Sequence, residues 1–220
     1  MGTPRSHARP RLASASDWTD TETSLVVLDL ASVETFLLVG LLSRTVSEPG
    51  GALWCPLQSG PAVLDRDRGA AQSRAVDLDL SVAWPVDHWR PVPRAMRVAA
   101  LAMAHGCAEP YMRSMSRIAF AAGMDINKVT APIGPGRSHL ADPELYYVAA
   151  GEELGLNPRE VTRATQDGSD CDRHLQALAT RLADLGITQA PAVRLRGELY
   201  VGEQAISRTL AVLDARYGAC

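Results

Sequence analysis

A serine, a glutamate and a threonine stand at the start of the first predicted helix, where the sequence offers its clearest opportunity for chemistry. Ser32 occupies a helix N-cap position, and Glu34 lies in the first turn, where the helix dipole favours an anion. Backbone N–H groups at a helix start stabilise negative charge, as they do for low-pKa thiolates. Ser32 could therefore take part in anion chemistry, or it could be an N-cap worth about 1 kcal/mol.

The other residue types that carry chemistry are scattered along the chain. The cysteines form no C-x-x-C pair, which excludes a local zinc ribbon or dithiol redox pair: Cys55, Cys107, Cys171 and Cys220. His88 lies beside Trp84 and Trp89 in the sequence. Together with Arg90, it could bind an acidic or aromatic substrate, or it could be an ordinary surface histidine. His139 could act as an acid or base in a loop.

Composition narrows the class of protein. The chain has 220 residues with 22 basic and 25 acidic side chains, a formal net charge of −3, and 46% hydrophobic residues. Near-neutral charge argues against a nucleic-acid partner. The apolar stretches stop short of the roughly 20 residues that span a bilayer, which argues against a membrane protein. No secretory signal is evident, so we expect a cytoplasmic protein with reduced thiols and no metal.

The pattern of apolar residues predicts a β-α-β opening and a β-hairpin close. Residues 25–30 form a buried strand, residues 33–45 a helix, and residues 52–55 a second strand. In residues 192–201, apolar residues alternate with polar ones on both sides of a turn at Arg196-Gly197, which predicts a hairpin. Residues 203–217 form a closing helix.

The middle of the chain is predicted to be helical. Residues 58–92 are rich in Gly, Pro and Asp, and we expect little regular structure there. Helices are predicted over residues 93–105, 109–122 and 171–185, and at Asp142-Pro143 and Asn157-Pro158, where a capping residue precedes proline. Residues 123–141 contain three Gly and two Pro, which predicts a long loop or lid.

This order predicts an α/β protein with a thioredoxin-like fold, in which a mixed four-stranded sheet carries an all-helical insertion. We expect residues 1–23 to form a disordered leader, because they contain almost no apolar residues. Residues 24–92 and 186–220 are expected to form the thioredoxin-like domain, and residues 93–185 the insertion.

Five segments, in this order, resemble the DsbA-like disulfide-oxidoreductase superfamily. Within it they are most similar to the branch of 2-hydroxychromene-2-carboxylate isomerases and kappa-class glutathione S-transferases. The segments and the family patterns are 29–37 (DLASVETFL; F-D-x-x-S-P-Y-S-Y-L), 54–56 (WCP; W-R-P), 123–126 with 142–145 (GMDI and DPEL; G-x-D-I-x-D-P-x-x-L), 186–192 (GITQAPA; G-V-F-G-V-P-T) and 199–206 (LYVGEQAI; L-F-W-G-Q-D-R-L). The resemblance covers residue 25 to the end of the chain.

The resemblance implies specific roles for several residues. Ser32 takes the position of the nucleophilic cysteine, and its hydroxyl would hold the sulfur of bound glutathione as a thiolate. Thr35 takes the second redox position and is expected to be structural. Pro191 would be cis and would present the backbone of Ala190 to an extended thiol ligand. The cis-proline could also be a requirement of the fold without any ligand.

Three departures from the family pattern bear on the ligand. Glu34 replaces an aromatic residue, and an anion beside a thiolate raises the pKa of the thiol and opposes its activation. Val33 replaces the family proline. The acidic residue that binds the γ-glutamyl ammonium falls on Gln204, with Glu203 one place earlier. Either Glu203 binds this cation, or the ligand is another thiol, such as mycothiol in a high-GC actinobacterium.

The resemblance therefore implies a cytoplasmic, homodimeric isomerase or glutathione-S-transferase-like enzyme. A bound low-molecular-weight thiol would react with a small electrophilic metabolite, aromatic or conjugated, placed between the first helix and the insertion. The altered motif also fits an enzyme of specialised-metabolite biosynthesis. Two alternatives remain open. One is a non-catalytic thioredoxin-like binding or scaffold protein, and the other is a thiol-independent biosynthetic enzyme that uses the same pocket.

Overall fold

A mixed sheet organises the chain in the computed structural model, which describes residues 24–45, 52–59, 68–85, 90–127 and 143–217. In this part of the chain the sheet has four strands in the order β2-β1-β3-β4, with β2 parallel to β1 and the other two pairs antiparallel. The strands are β1 (Ser24–Leu28), β2 (Ala52–Pro56), β3 (Ala192–Leu195) and β4 (Glu198–Val201). The predicted α/β class and the mixed four-stranded sheet are confirmed. The predicted leader, residues 1–23, lies outside the described residues.

The described part of the chain contains eight helices. They are α1 (Val33–Thr45), α2 (Arg68–Asp77), α3 (Pro93–Ala104), α4 (Ala108–Phe120), α5 (Pro143–Glu153), α6 (Pro158–Ala164), α7 (Asp170–Asp184) and α8 (Glu203–Tyr217). Seven of them begin within two residues of a predicted start, and the five for which an end was predicted finish within two residues of it. Local signals placed them well: the Asn157 side chain, for example, accepts a hydrogen bond from the N–H of Arg159 at 2.9 Å, as expected of an N-cap.

Helix α2 corrects the prediction that residues 58–92 have little regular structure. Its own sequence gives a weak signal, because it has no acidic residue in its first turn and an ill-defined apolar face. Packing holds it instead. Ala71 and Ala75 are buried, and Gln72 accepts a hydrogen bond from Trp84 Nε1 at 3.0 Å. The Arg68 guanidinium lies 4.9 Å from the centre of the Trp84 ring. Tertiary contacts thus supply most of the stability of this short helix.

Helices cover both faces of the sheet. Alternate residues of β1 point to opposite faces, so Val26 and Leu28 join the core with α1 and α8, while Leu25 and Val27 pack with α7. Helix α7 therefore packs directly on the sheet, although it falls within the range predicted as the insertion. The division into residues 24–92 with 186–220 and residues 93–185 stays a prediction.

Arg97 of α3 joins α3 to the start of α7. This side chain is buried, and its Nε donates a hydrogen bond to Asp172 Oδ1 at 2.6 Å. Its Nη1 donates to the carbonyl oxygen of Thr165 at 3.2 Å, and its Nη2 lies 2.6 Å from Asp167 Oδ1. One guanidinium thus pairs with two carboxylates and satisfies a backbone carbonyl where three segments meet.

Asp29 fixes the carboxyl ends of β1 and β2. Its carboxyl group is 1% exposed; Oδ1 accepts from the N–H of Ala31 at 2.9 Å, and Oδ2 accepts from the N–H of Ser59 at 2.6 Å. Ser59 Oγ in turn accepts from the N–H of Ala190 at 3.4 Å, next to the cis Ala190-Pro191 bond. Burial raises the pKa of Asp29 from its usual 3.8 to about 6, although its hydrogen bonds oppose the change.

We predict that Arg97→Ala lowers the free energy of unfolding by about 2 kcal/mol, because it removes charge-assisted hydrogen bonds made by a buried donor. Arg173→Ala is the matched control, since Arg173 pairs with Asp170 on an exposed surface and should change stability by less than about 0.5 kcal/mol. Urea unfolding measures both variants. Equal stabilities for the two variants would contradict the assigned role of Arg97.

Asp29 should make stability depend on pH. Between pH 3.8 and about 6 the folded protein holds a proton on Asp29 that the unfolded chain has lost. Its contribution to the free energy of unfolding is therefore fully present below pH 3.8 and falls by about 3 kcal/mol as the pH rises through this range. Asp29→Asn, compared with the exposed control Asp184→Asn, should lose this slope in urea unfolding at a series of pH values. A wild-type slope retained in Asp29→Asn would refute the assignment.

Candidate active site

Ser32 and Glu34 form a hydrogen-bonded pair at the start of α1. Ser32 Oγ donates to Glu34 Oε2 at 2.7 Å, and the two residues are 2% and 9% exposed. The N–H of Ser32 donates to the carbonyl oxygen of Asp29 at 3.0 Å, which holds the turn between β1 and α1. The N–H of Asp29 donates to Thr35 Oγ1 at 3.1 Å, so Thr35 supports the same turn from within the core. The serine hydroxyl proton is therefore directed at a carboxylate.

A cavity of about 580 Å³ opens beside this pair, between α1, α2 and α8. Glu34 and Leu37 line it from α1, and Glu203 lines it from the start of α8. Helix α2 contributes Arg74 and Asp77 among other residues. The volume falls within the range of small-molecule sites, about 300–1,000 Å³.

Arg74 joins two walls of this cavity. Its Nη2 lies 2.8 Å from Glu203 Oε1 and donates to Ser207 Oγ at 2.9 Å. Among the described residues that line the cavity, Arg74 faces three carboxylates, those of Glu34, Asp77 and Glu203. The site is therefore negative on balance, which favours a ligand with a positive group.

The structure brings some of the predicted site residues together and leaves others apart. Glu34 and Glu203 line one cavity, and Ser32 is connected to it through its hydrogen bond to Glu34. The described residues that line the cavity do not include Ser32, Ala190, Pro191 or Gln204. Gln204 is exposed to solvent.

The backbone around the cis-proline is bonded within the protein. The N–H of Ala190 donates to Ser59, and the carbonyl oxygen of Pro191 accepts from the N–H of Gly202 at 2.7 Å. Ala190 and Pro191 are both buried. Their presentation to a thiol ligand stays a prediction, and His88 and His139 lie outside the described residues.

Sequence reasoning missed Arg74 and Asp77, because the helix that carries them was not predicted. The available signal was the run from 70 to 84, AAQSRAVDLDLSVAW, which contains no Gly or Pro and begins with strong helix formers. Its composition was averaged with that of the Gly- and Pro-rich segments on either side. The pairing of Arg74 with Glu203 depends on the folded chain and leaves no local pattern.

A second gap lies where the substrate was expected, between the start of α1 and the helical part of the chain. The described residues there enclose only about 20 Å³. Ala31, Arg90, Phe120 and Met124 are among the residues that line it. This space is sufficient for about one water molecule. Within the described residues, the 580 Å³ cavity is thus the better place for a metabolite.

The described cysteines are poor candidates for a nucleophile. Burial raises the pKa of Cys55, Cys107 and Cys171 above that of a free thiol. Within the part of the chain that the structure describes, no cluster of His, Cys, Asp and Glu suits a metal ion. No described helix is long and apolar enough to cross a membrane.

Comparison with known proteins identifies the fold. No protein-family model and no curated protein matches the chain. Among solved structures, it is similar to a 2-hydroxychromene-2-carboxylate isomerase, with a TM-score of 0.64 and 13% identity over 89% of this chain and 94% of the other. It is also similar to a probable DsbA oxidoreductase from Streptomyces coelicolor, with a TM-score of 0.56 and 16% identity over 90% and 91% of the chains. A third similar structure is that of the cytosolic disulfide reductase DsbM from Pseudomonas aeruginosa, solved with glutathione. Its TM-score is 0.54, with 15% identity over 88% of this chain and 98% of the other. The chain therefore has the DsbA-like thioredoxin fold that the sequence motifs indicated.

Proposed function

We propose that this protein is a thiol-dependent isomerase or transferase that acts on a small electrophilic metabolite, aromatic or conjugated. The observation that carries the proposal is the 580 Å³ cavity next to the Ser32–Glu34 pair at the start of α1. The fold supports it, because the isomerase and the glutathione-bound reductase share this architecture. As the resemblance implies, we place the enzyme in the cytoplasm as a homodimer.

The carboxylates around the cavity offer partners for the ammonium group of a low-molecular-weight thiol such as glutathione. Glutathione carries an ammonium group and two carboxylates besides its thiol. Glu203 and Asp77 would bind the ammonium, and Arg74 would bind a carboxylate. Ser32 and Glu34 lie at the α1 side of the cavity, where the thiol would meet the start of the helix. When bound, the thiol supplies a sulfur nucleophile that adds to the substrate and, in an isomerase, leaves again.

A second candidate is a binding or scaffold protein without catalysis. The hydroxyl of Ser32 is buried and bonded to Glu34, and the N–H of Ala190 is bonded to Ser59. Two groups that the resemblance assigns to the thiol are thus engaged inside the protein. A thiol-independent enzyme using the same cavity is the remaining alternative, and the experiments below separate it from the thiol-dependent one.

Thermal unfolding tests thiol binding. At a hundred times its dissociation constant, glutathione or mycothiol should add about 2.7 kcal/mol to the free energy of unfolding and raise the midpoint by about 5 to 10 °C. Ser32→Ala should reduce this shift, because it releases the Glu34 carboxylate. Ser169→Ala, before α7 and outside the cavity, should keep the shift unchanged. The absence of a shift with either thiol would argue against the proposed function.

The negative charge of the cavity predicts that the ammonium group of glutathione contributes to its affinity. Acetylation of the glutathione ammonium should weaken binding about tenfold, because it removes a charge-assisted hydrogen bond worth about 1.4 kcal/mol or more. Isothermal titration with glutathione and its N-acetylated derivative measures the difference. Equal affinities would show that the carboxylates of Asp77 and Glu203 do not hold the ammonium.

A further inference from the structure

We propose that Glu34 keeps the proton of the bound thiol inside the site and returns it to the substrate, while Ser32 positions the Glu34 carboxylate. This inference rests on the proposed function and deepens it. It makes Glu34 the catalytic residue and Ser32 a positioning residue, and it narrows the substrate to a conjugated acceptor whose thiol adduct gains a proton.

Glu34 and Ser32 are placed differently relative to the cavity. Glu34 lines the cavity together with Leu37, one turn further along the same face of α1. Ser32 is 2% exposed and is not among the described residues that line the cavity. A ligand in this cavity therefore meets the carboxylate rather than the hydroxyl.

The hydrogen bond between Ser32 and Glu34 uses the only proton of the serine hydroxyl. A serine hydroxyl has one proton, and Ser32 donates it to Glu34 Oε2 at 2.7 Å. It cannot donate that proton to a sulfur atom at the same time. The backbone of Ser32 is fixed by its N–H bond to the Asp29 carbonyl, and the Asp29 side chain is fixed by Ala31 and Ser59. Ser32 is thus a rigid support for the carboxylate.

The cavity wall carries more negative than positive charge. Arg74 is paired with Glu203, and Asp77 and Glu34 add two further carboxylates. A thiolate formed by releasing its proton to solvent would add another negative charge to this wall, which is unfavourable. Transfer of the proton to Glu34 keeps the total charge constant, because Glu34 becomes neutral as the sulfur becomes negative. If Glu34 stayed ionised, its charge would oppose ionisation of the thiol. As the acceptor of the thiol proton, it favours that ionisation instead.

The proposed step balances as follows. The S–H bond breaks, the proton moves to a carboxylate oxygen of Glu34, and the electron pair stays on sulfur. The sulfur pair forms a C–S bond with the conjugated acceptor, whose π electrons move to its carbonyl oxygen. Glu34 then donates the proton to the substrate and is a carboxylate again. In an isomerase the same steps run in reverse after the former double bond rotates.

Two glutathione acceptors test this role in the full-length protein. A conjugated ketone needs a proton to complete its product, whereas a chloronitrobenzene loses chloride and needs none. Glu34→Gln should slow the ketone reaction by about a hundredfold, the lower end of the range for a positioned acid or base. It should slow the chloronitrobenzene reaction less, because that reaction needs Glu34 only to accept the thiol proton and not to return it. Equal slowing of both reactions would overturn the inference.

Proton release on binding gives a readout that does not depend on turnover. Calorimetry in two buffers of different ionisation enthalpy should show that glutathione binds to the wild type without net proton release. Binding to Glu34→Gln should release about one proton, because the thiol then ionises to solvent. Identical proton release in both proteins would contradict proton retention by Glu34.

Three variants complete the design. Glu34→Asp keeps a carboxylate and should recover part of the ketone rate, even if Glu34→Gln is poorly folded. Ser32→Ala should change the ratio of the two rates in the same direction as Glu34→Gln, but by about tenfold or less, as expected from the loss of one hydrogen bond. A larger effect of Ser32→Ala than of Glu34→Gln would reverse the assigned roles. Glu109→Gln makes the same change in the first turn of α4 and should leave both reactions unaltered.

The outcomes also separate this inference from the proposed function. If glutathione fails to bind the wild type, the proposed function fails. If glutathione binds and reacts, but Glu34→Gln slows the ketone and the chloronitrobenzene reactions equally, only the role of Glu34 fails.

Discussion

The buried carboxyl group of Asp29 is the interaction on which the rest of the site depends. It lies just after the central strand and accepts hydrogen bonds from the turn that leads into α1 and from Ser59, after β2. Through Ser59 it also reaches Ala190 beside the cis-proline. Desolvation opposes the charged form of this group, and the backbone N–H groups of Ala31 and Ser59 offset part of that cost. The position of Ser32 follows from this arrangement.

The cavity depends on contacts between parts of the chain that are far apart in sequence. Helix α1 supplies Glu34, and α8 supplies Glu203; α2 closes the space and pairs Arg74 with Glu203. Because α2 is held by packing rather than by its own propensity, the cavity wall is a product of the tertiary fold. The result is a site with a carboxylate held at the start of a helix and a further pair of charges across from it.

Local signals in the sequence were sufficient for most of the fold. The Arg196-Gly197 turn has positive φ at both residues, as a two-residue hairpin requires, and the Asn157 cap begins α6 as expected. The sequence shows Ser32 and Glu34 as two polar residues separated by Val33, but the hydrogen bond between their side chains depends on the turn that Asp29 fixes. Arg74 could not be placed at the site, because neither its helix nor its pairing with Glu203 leaves a periodic pattern in the sequence.

A crystal structure of the protein with glutathione tests the central claim most directly. The account predicts glutathione in the cavity between α1, α2 and α8, with its sulfur in contact with the Glu34 carboxylate and Ser32 still bonded to Glu34. A sulfur atom bonded to the Ser32 hydroxyl, with Glu34 turned away, would contradict the role assigned to Glu34. Glutathione bound outside this cavity would contradict the account as a whole.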